Sequence, residues 1–418
     1  MLNNRETYTN KMVELKKEFE QHPTDKNIAF DYAEKLFQLG DFAQAQDILK
    51  SLTYMSKAMY LNAQVEYMNG NYPKAEKLYA MLQSSEFKSE AEQGLELVYY
   101  QTGQYSKAKT LSSPSAIGEM MMAFGVGDRK PYAIEWSGTE NAIIPFIEPE
   151  PLPLIQIKIS GEMYSFIIDS GAGDTILDID LSVELGVESI TTLTGVGAGD
   201  MSATVNYGIL DEIMLGNIKI SNVPVTMMPT APFSAVYNNE VEIHGVVGVG
   251  VFKQFFSIMD YPAGQLILYP RDKKVALENA KEIPFALASS HLIIAKGEVN
   301  GREVNVFMDS GLAVTGVGIL LSNDTVVYTN IAVSEPESVE SVGAGGVTEF
   351  QVSEFTVGTF KLGILQEVKD LYGLLGIFPE SMYFNEKGGF FIDTLVSHEF
   401  LKRYKWAIDF DSMKMIFA

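Results

Sequence analysis

Two patterns of hydrophobic and polar residues divide the chain near residue 112. Between about residue 8 and residue 112, apolar residues recur three and four positions apart and prolines are scarce, which predicts amphipathic helices. From residue 151 onward, apolar or alternating segments rich in Val, Ile, Phe and Tyr are separated by turn residues, which predicts β-strands. Residues 113–150 contain several prolines and no helical period, so we expect a linker that packs on the β region.

A short motif recurs three times in the helical part: Gly, a polar residue, an aromatic residue, two further residues and Ala. Its glycines, Gly40, Gly70 and Gly103, are 30 and 33 residues apart. The motif resembles the tetratricopeptide repeat, in which Gly ends one helix, the aromatic residue packs across the turn and Ala lets two helices approach closely. Residues 1–112 are therefore predicted to form a tetratricopeptide-like repeat domain, with an unrelated amphipathic bundle as the alternative.

The β region contains two similar sequences. The segment KISGEMYSFIIDSGAGDTIL (158–177) is matched by EVNGREVNVFMDSGLAVTGV (298–317), and a glycine precedes each DSG aspartate by eight residues. Gly-rich stretches, an LGNIKI-like segment and a closing strand pair follow in the same order, with offsets of 140 to 149 residues between the copies. We therefore predict two β domains of similar fold, residues 151–280 and 281–418.

Each copy carries a potential acid catalyst in its DSG motif. An apolar strand ends in Asp169 or Asp309, and the following Gly171 or Gly311 permits a sharp turn and a close approach of another chain. If the two copies face each other, like-charge repulsion makes the two carboxylates share one proton over a range of pH. Such a pair can activate a water molecule on one side and protonate a reacting group on the other.

These motifs resemble the active-site sequences of retropepsin-like and pepsin-like aspartic peptidases, where two apolar residues precede Asp-(Thr/Ser)-Gly-(Ala/Ser). The first copy matches at all four positions, and the second departs at Leu312, where the family has a small residue. Thr175 and Thr315 are placed at a downstream Thr/Ser position of the family. The resemblance implies catalytic Asp169 and Asp309, and loop support from five residues: Ser170, Gly171, Ala172, Ser310 and Gly311.

The resemblance also implies Gly-rich hairpin flaps over a substrate cleft. They are predicted near residues 195–203 and 341–348, with five glycines as flap or substrate-binding residues: Gly195, Gly197, Gly199, Gly343 and Gly345. A further family signature, two apolar residues and Gly beneath the DSG loop, fits GVVG at 245–248. In the second copy we align it with TLVSHEF at 394–400, which places Ser397 at the Gly position and makes 373–391 an insertion. GLLG at 373–376 is the rival alignment.

Composition limits the remaining possibilities. The chain has 418 residues, too many for one ordinary core, and its 54 acidic and 31 basic residues give a net charge of −23 that disfavours nucleic acid and anionic membranes. With no cysteine and four histidines that are not spaced as zinc ligands, we expect neither a metal nor another cofactor. No signal segment or membrane span is evident, so the protein is expected to be cytoplasmic if Met1 is native, and an exported origin stays open if a leader was removed. Asp174 and Asp178 are expected to be surface or turn carboxylates.

The sequence therefore predicts a multidomain protein: N-terminal all-α helical repeats followed by an all-β bilobal aspartic peptidase made of two retropepsin-like acid-protease β barrels. The expected activity is that of an aspartic endopeptidase acting on a polypeptide substrate, for which a monomer is sufficient. The helical repeats are expected to bind a protein partner or the substrate. The alternatives are a catalytically silent peptide-binding scaffold and, for the linker, a self-inhibitory segment that occupies the cleft.

Overall fold

The structure is a computed structural model that describes residues 4–112, 114–124, 129–138, 140–196, 202–238, 240–343, 346–385 and 389–418. Its N-terminal part is helical. The helices are α1 Arg5–Gln21, α2 Lys26–Gln38, α3 Phe42–Leu49, α4 Ser56–Met68, α5 Tyr72–Leu82, α6 Lys88–Thr102, a 3-10 helix Tyr105–Thr110, and α7 Ala116–Phe124. No helix in the described part of the chain is long and apolar enough to cross a membrane.

The three motif glycines end helices. Gly40, Gly70 and Gly103 follow α2, α4 and α6 with φ of +80°, +75° and +68°, a left-handed conformation that glycine adopts without steric cost. An α-helix begins after each of the first two, whereas a six-residue 3-10 helix follows the third. The helix ends that the motif predicts are thus present, while the tetratricopeptide assignment itself stays a prediction.

The predicted linker holds more regular structure than its prolines suggest. The prediction of no helix is wrong for α7, a nine-residue helix whose Met120 and Met121 are fully buried. Two strands follow, β1 Ala133–Trp136 and β2 Ala142–Pro145, and each pairs with the outer strand of a sheet. The described part of this segment is therefore held at sheet edges. The rings of Trp136 and Phe255 also form a T-shaped contact, with their centroids 5.8 Å apart.

The first β region has its strands in the order β3 Leu154–Ile159, β4 Glu162–Ile168, β5 Thr175–Asp178, β6 Thr191–Val196, β7 Ser202–Leu215, β8 Ile218–Met228, β9 Gly245–Val247, β10 Phe255–Asp260 and β11 Gln265–Pro270. Short helices connect them: α8 Ile179–Glu184, α9 Ala231–Ser234 with a 3-10 turn Ala235–Tyr237, and α10 Val249–Phe252. Strands β8, β5, β9, β4, β3 and β7 pair in that order, and pairing of β7 with β8 closes them into a barrel.

The second β region follows the same order of pairing. Its elements are β12 Lys281–Ala288, β13 Leu292–Val299, β14 Arg302–Met308, β15 Ile319–Leu321, α11 Asn323–Tyr328, β16 Glu337–Gly343, β17 Gly346–Leu362, β18 Val368–Leu375, α12 Glu380–Tyr383, β19 Phe384–Asn385, β20 Phe390–Phe391, β21 Thr394–Val396, α13 His398–Leu401, β22 Lys405–Asp409 and β23 Lys414–Phe417. Strands β18, β15, β21, β14, β13 and β17 form the barrel, closed by pairing of β13 with β17.

This pairing corrects one detail of the sequence alignment. Residues 373–375 belong to β18, where Gly373 and Leu374 pair with Ile319 and Leu320 of β15, so the insertion predicted at 373–391 cannot begin there. The first barrel has the same contact between β5 and β8. The segments at 373–375 and 394–396 both form short apolar strands. The sequence pattern alone therefore could not show which of them corresponds to GVVG in the first copy.

A continuous sheet contains strands of both β regions together with β2 of the linker. Strands β12, β23, β22, β10, β11 and β2 are neighbours in that order, and β10 pairs antiparallel with β22 at its centre. One hydrophobic core extends through both barrels and this sheet and includes Ile168, Val306 and Trp406. The two halves are therefore held by shared strands and a shared core rather than by a flexible connection.

The helical array is docked firmly against the β regions. Arg5 and Asp393 form a buried ion pair at 2.7 Å, with exposed fractions of 2% and 0%. Phe390 packs against the rings of both Phe37 and Phe42, with centroid distances of 6.1 and 5.3 Å. A second hydrophobic core combines residues of the helices with one face of the second barrel. These contacts hold the array in one position on the barrels.

Candidate active site

Asp169 and Asp309 occupy matching positions at the ends of buried strands. Asp169 follows β4, and its backbone N–H donates to Val247 O at 3.0 Å; Asp309 follows β14, and its N–H donates to Val396 O at 3.0 Å. In each case the accepting strand, β9 or β21, runs parallel to the strand that carries the aspartate. Each aspartate therefore leaves its barrel from a rigid, fully paired strand end.

The two serines lock the loops together by reciprocal hydrogen bonds. The Ser170 N–H donates to Ser310 Oγ at 2.9 Å, and the Ser310 N–H donates to Ser170 Oγ at 3.0 Å. The Ser170 hydroxyl also donates to Met308 O at 3.1 Å, and both serines are buried. Buried hydrogen bonds of this kind are strongly directional and costly to leave unmade, so they hold the loops in register.

The glycines allow the carboxyl groups to approach each other. A Cβ added to Gly311 would lie 2.1 to 2.4 Å from the Asp169 carboxyl atoms, and one added to Gly171 would lie 2.6 to 3.0 Å from those of Asp309. Each glycine N–H donates to the carboxylate of its own loop, at 2.6 Å for Gly171 and 2.8 Å for Gly311. Any larger residue would displace the opposing carboxyl group.

The environment of the pair favours one shared proton. Burial raises the pKa of Asp169, and its hydrogen bonds with Gly171 and with Asp309 oppose that rise. Burial, together with the negative charge of Asp169, holds the pKa of Asp309 well above its usual range. Each carboxyl group also lies against the glycine of the opposite loop, which brings the two acidic side chains close together. The arrangement can therefore present a carboxylate and a carboxylic acid side by side, a general base next to a general acid.

The loop after the aspartate differs in length between the two copies. Thr175 begins β5 and is buried, whereas Thr315 is exposed in a turn, and Ile319 of β15 takes the register position of Thr175. The predicted equivalence of Thr175 and Thr315 is therefore wrong. Thr175 is six positions after Asp169, but Ile319 is ten positions after Asp309.

This difference in length explains why Ser397 is tolerated where Gly248 is found in the first copy. A Cβ on Gly248 would lie 2.4 Å from Asp174 O and 2.7 Å from Ala172 O, because the shorter loop passes directly over it. Ser397 is fully buried, and its hydroxyl donates to Val317 O and accepts from the Glu399 N–H at 3.1 Å. The longer second loop thus leaves room for the Ser397 side chain, which also caps the N-terminus of α13.

The two residues after the DSG glycines pack in different surroundings. Ala172 lies against a small cluster formed by β3, β9 and the α9 segment, and its carbonyl accepts from the Val249 N–H at 2.8 Å. Leu312 packs partly buried against the core that the second barrel shares with the helices. The larger Leu312 is therefore accommodated by neighbouring apolar side chains.

Two long hairpins stand where flaps were predicted. β6 pairs with β7 and places Gly195 opposite Ala203, and β16 pairs with β17 and places Gly343 opposite Gly346. Gly197, Gly199 and Gly345 lie outside the described residues. Beside the second hairpin and the Asp309 loop is a cavity of about 190 Å³, lined by Val314, Val317, Val352 and Leu374 and by the carboxylate-bearing Glu337 and Glu354, among others.

Asp174 is a residue whose role was not found from the sequence. Asp178 accepts backbone N–H groups at the start of α8, as a turn carboxylate should, but Asp174 lies beneath the helical array. It accepts a hydrogen bond from the Tyr100 hydroxyl, and the Tyr132 hydroxyl lies 3.4 Å away. Burial raises its pKa. Its partners are 74 and 42 residues away, so no local signal could have identified this site.

The described residues contain no group of three or more His, Asp or Glu side chains placed to hold a metal ion. A family model described as Aspartyl protease matches residues 155–251. The chain therefore contains an aspartyl-protease-like domain, which runs from β3 into α10 and includes Asp169. Asp309 lies outside the matched segment. No curated protein matches the chain.

Proposed function

We propose that the protein is an aspartic endopeptidase with Asp169 and Asp309 as its catalytic pair. The observation that carries this proposal is the contact of two carboxyl groups from separate barrels, held by the reciprocal hydrogen bonds of Ser170 and Ser310. The family match over residues 155–251 supports a protease function for the first barrel. Because one chain supplies both aspartates, a monomer is sufficient for the reaction.

The proposed reaction uses the shared proton of the pair. The ionised carboxylate removes a proton from a water molecule held between Asp169 and Asp309, and the water oxygen attacks the carbonyl carbon of the peptide bond. The protonated carboxyl group transfers its proton to the carbonyl oxygen, which gives a tetrahedral diol. When the C–N bond breaks, the amine nitrogen takes a proton from the carboxyl group that received it from water, and one hydroxyl group of the diol returns a proton to the other carboxylate. The products are a carboxylic acid and an amine, and the pair returns to its starting state.

The cleft favours an extended peptide with a basic side chain. The β6–β7 and β16–β17 hairpins would cover a peptide bound across the aspartates. The cavity beside the Asp309 loop combines apolar walls with the exposed carboxylates of Glu337 and Glu354. An aliphatic stem ending in a positive charge suits such a cavity, and the net charge of −23 would help to attract cationic substrates.

Peptide-library digestion over several pH values tests the activity. The parent protein is expected to cleave peptides and to be inhibited by pepstatin, while Asp169→Asn and Asp309→Asn each abolish cleavage with the fold retained. Asp180→Asn, an exposed carboxylate on α8, is the control and should retain full activity. Full activity in either dyad variant would show that the assignment is wrong.

The same library tests the substrate preference. Glu337→Gln with Glu354→Gln should reduce the preference for Lys or Arg at one subsite by about tenfold, which corresponds to the loss of roughly 1.4 kcal/mol of charge interaction. Glu212→Gln, an exposed carboxylate on β7, should leave the preference unchanged. If the parent cleaves without any preference for basic residues, the endopeptidase proposal stands but the cavity does not select charge.

A second candidate function is peptide binding without turnover. The observation that favours it is a groove of about 500 Å³ on the helical array, lined by residues of α2, α4 and α6 that include Phe30 and Tyr60, and by Phe87, which precedes α6. Such a groove suits a protein partner or an extended peptide. Binding of library peptides by the parent and by Asp309→Asn with equal affinity, and no cleavage by either, would favour the scaffold.

A further inference from the structure

A polar cavity lies where the helical array meets the first barrel. It has a volume of about 190 Å³, close to that of six water molecules in the liquid. Its walls come from the end of α6 and the 3-10 helix that follows, from residues 130–132, from the end of α10 and from the end of β11. Three cationic side chains line it, Lys130, Lys253 and Arg271, and its described lining residues include no Asp or Glu.

Lys253 is the unusual member of this set. Its exposed fraction is 7%, yet its Nζ atom donates only to neutral oxygens, Gln101 Oε1 at 2.8 Å and Ser290 O at 3.4 Å. Its Nζ atom also lies 4.9 Å from the centre of the Tyr100 ring. Within the described ranges, Lys253 forms no ion pair. Buried ammonium groups are normally paired with an anion, because an unpaired one loses its hydration without compensation.

The neighbouring charges do not supply that anion. The charge of Asp174 raises the pKa of Lys253, but no ion pair joins the two side chains in the described part of the chain, and the Asp174 carboxylate accepts a hydrogen bond from the Tyr100 hydroxyl. Arg271 uses its Nε–H to bind Asp411 at 2.7 Å on the outer side, and its positive charge opposes that of Lys253. Burial and this repulsion lower the pKa of Lys253 to about 8. In a chain with a net charge of −23, this cavity is a local positive region.

We propose that this cavity, defined by Lys130, Lys253 and Arg271, binds a small oxyanion of the carboxylate or phosphate class. Lys253 contributes the buried ammonium group, and Lys130 and Arg271 provide further positive charge at the cavity wall. A planar or tetrahedral oxyanion fits the available volume together with water. The proposal concerns binding and stands whether or not the chain cleaves peptides.

The position of the cavity couples it to the loop that carries Asp169. Lys253 follows α10, and the first backbone amides of that helix hold the loop: Val249 N donates to Ala172 O at 2.8 Å and Gly250 N to Gly173 O at 2.7 Å. On the other side, Gln101 belongs to α6 of the helical array. A bound anion would therefore fasten the helical array to the support of the first DSG loop.

Titration calorimetry and thermal unfolding of the full chain test this proposal. Inorganic phosphate and acetate are each added at pH 7 against chloride of matched ionic strength, so that the two anion classes are distinguished. At least one should bind with saturation and raise the unfolding temperature as expected for a ligand of the folded state. Lys253→Met should lose this binding, and Lys130→Gln, at an exposed position, should weaken it by several-fold.

Lys158→Met is the matched control, since Lys158 is an exposed lysine on β3 that does not line the cavity. It should bind the anion as the parent does. If Lys253→Met does not fold, the Lys130→Gln titration decides the question. No saturable binding of either anion to the parent, or equal binding by the parent and by the cavity variants, would overturn the proposal.

Discussion

A methyl group added at Gly248 should damage both the stability and the activity of the protein. Gly248 has an ordinary extended backbone, so the cost comes from space and not from its φ angle. The new Cβ would lie 2.4 Å from Asp174 O and 2.7 Å from Ala172 O, where ordinary contacts begin at 3.4 Å. The loop after Asp169 must therefore move by about 1 Å, which strains or breaks its hydrogen bonds to α10. Overpacking of this kind and one lost hydrogen bond together predict a destabilisation of about 2–4 kcal/mol.

The same displacement should reduce cleavage on the order of a hundredfold, because general acid–base chemistry depends on the position of both carboxyl groups. Urea unfolding followed by circular dichroism measures the first effect, and the kcat for a library-derived peptide measures the second. Ser397→Gly is the control: it removes a side chain that the wider second loop accommodates, and the Asp169 loop should not move. A Gly248→Ala variant with the stability and kcat of the parent would refute the steric argument.

Three further predictions follow from the site and its supports. Asp309→Asn should be more stable than the parent at pH 7, because the folded parent retains a proton on Asp309 that its unfolded chain releases. This difference in unfolding free energy should shrink as the pH falls toward about 4, where the unfolded chain is protonated as well. Urea unfolding at several pH values measures the difference, and a value that does not change with pH would contradict the reasoning. Ser170→Ala should destabilise by about 1–3 kcal/mol, since the buried Ser310 N–H loses its acceptor, and a double-mutant cycle with Ser310→Ala should show non-additive energies. Asp393→Asn should cost about 3–5 kcal/mol by leaving Arg5 without its counter-charge, while the pair Arg5→Met with Asp393→Leu recovers most of it in the same unfolding assay.

Strand positions and helix ends could be predicted from the sequence. Alternation and apolar runs predicted the strands that end in Asp169 and Asp309, because a paired, half-buried strand imposes a period of two on its residues. The motif glycines predicted helix ends at Gly40, Gly70 and Gly103, because glycine adopts the left-handed backbone conformation more freely than other residues. Each of these features depends on the backbone within a few residues.

Features that depend on contacts between distant parts of the chain could not be predicted in this way. The helix α7 in the linker was missed because short helices are stabilised by burial, here of Met120 and Met121, rather than by their own sequence. The false equivalence of Thr175 and Thr315 arose because the motif spacing does not reveal where a strand resumes after a loop. That point is decided by pairing with strands 50 to 77 residues further along the chain.

By itself, the sequence determined which side chains can do chemistry and that each aspartate ends a buried strand. The tertiary structure alone decided that the carboxyl group of Asp169 meets that of Asp309, 140 residues away, and that Lys253 is buried without an anionic partner among the described residues. The physical reason is that proton sharing and desolvation depend on distances of a few ångströms between groups from different elements, and these distances are set by packing.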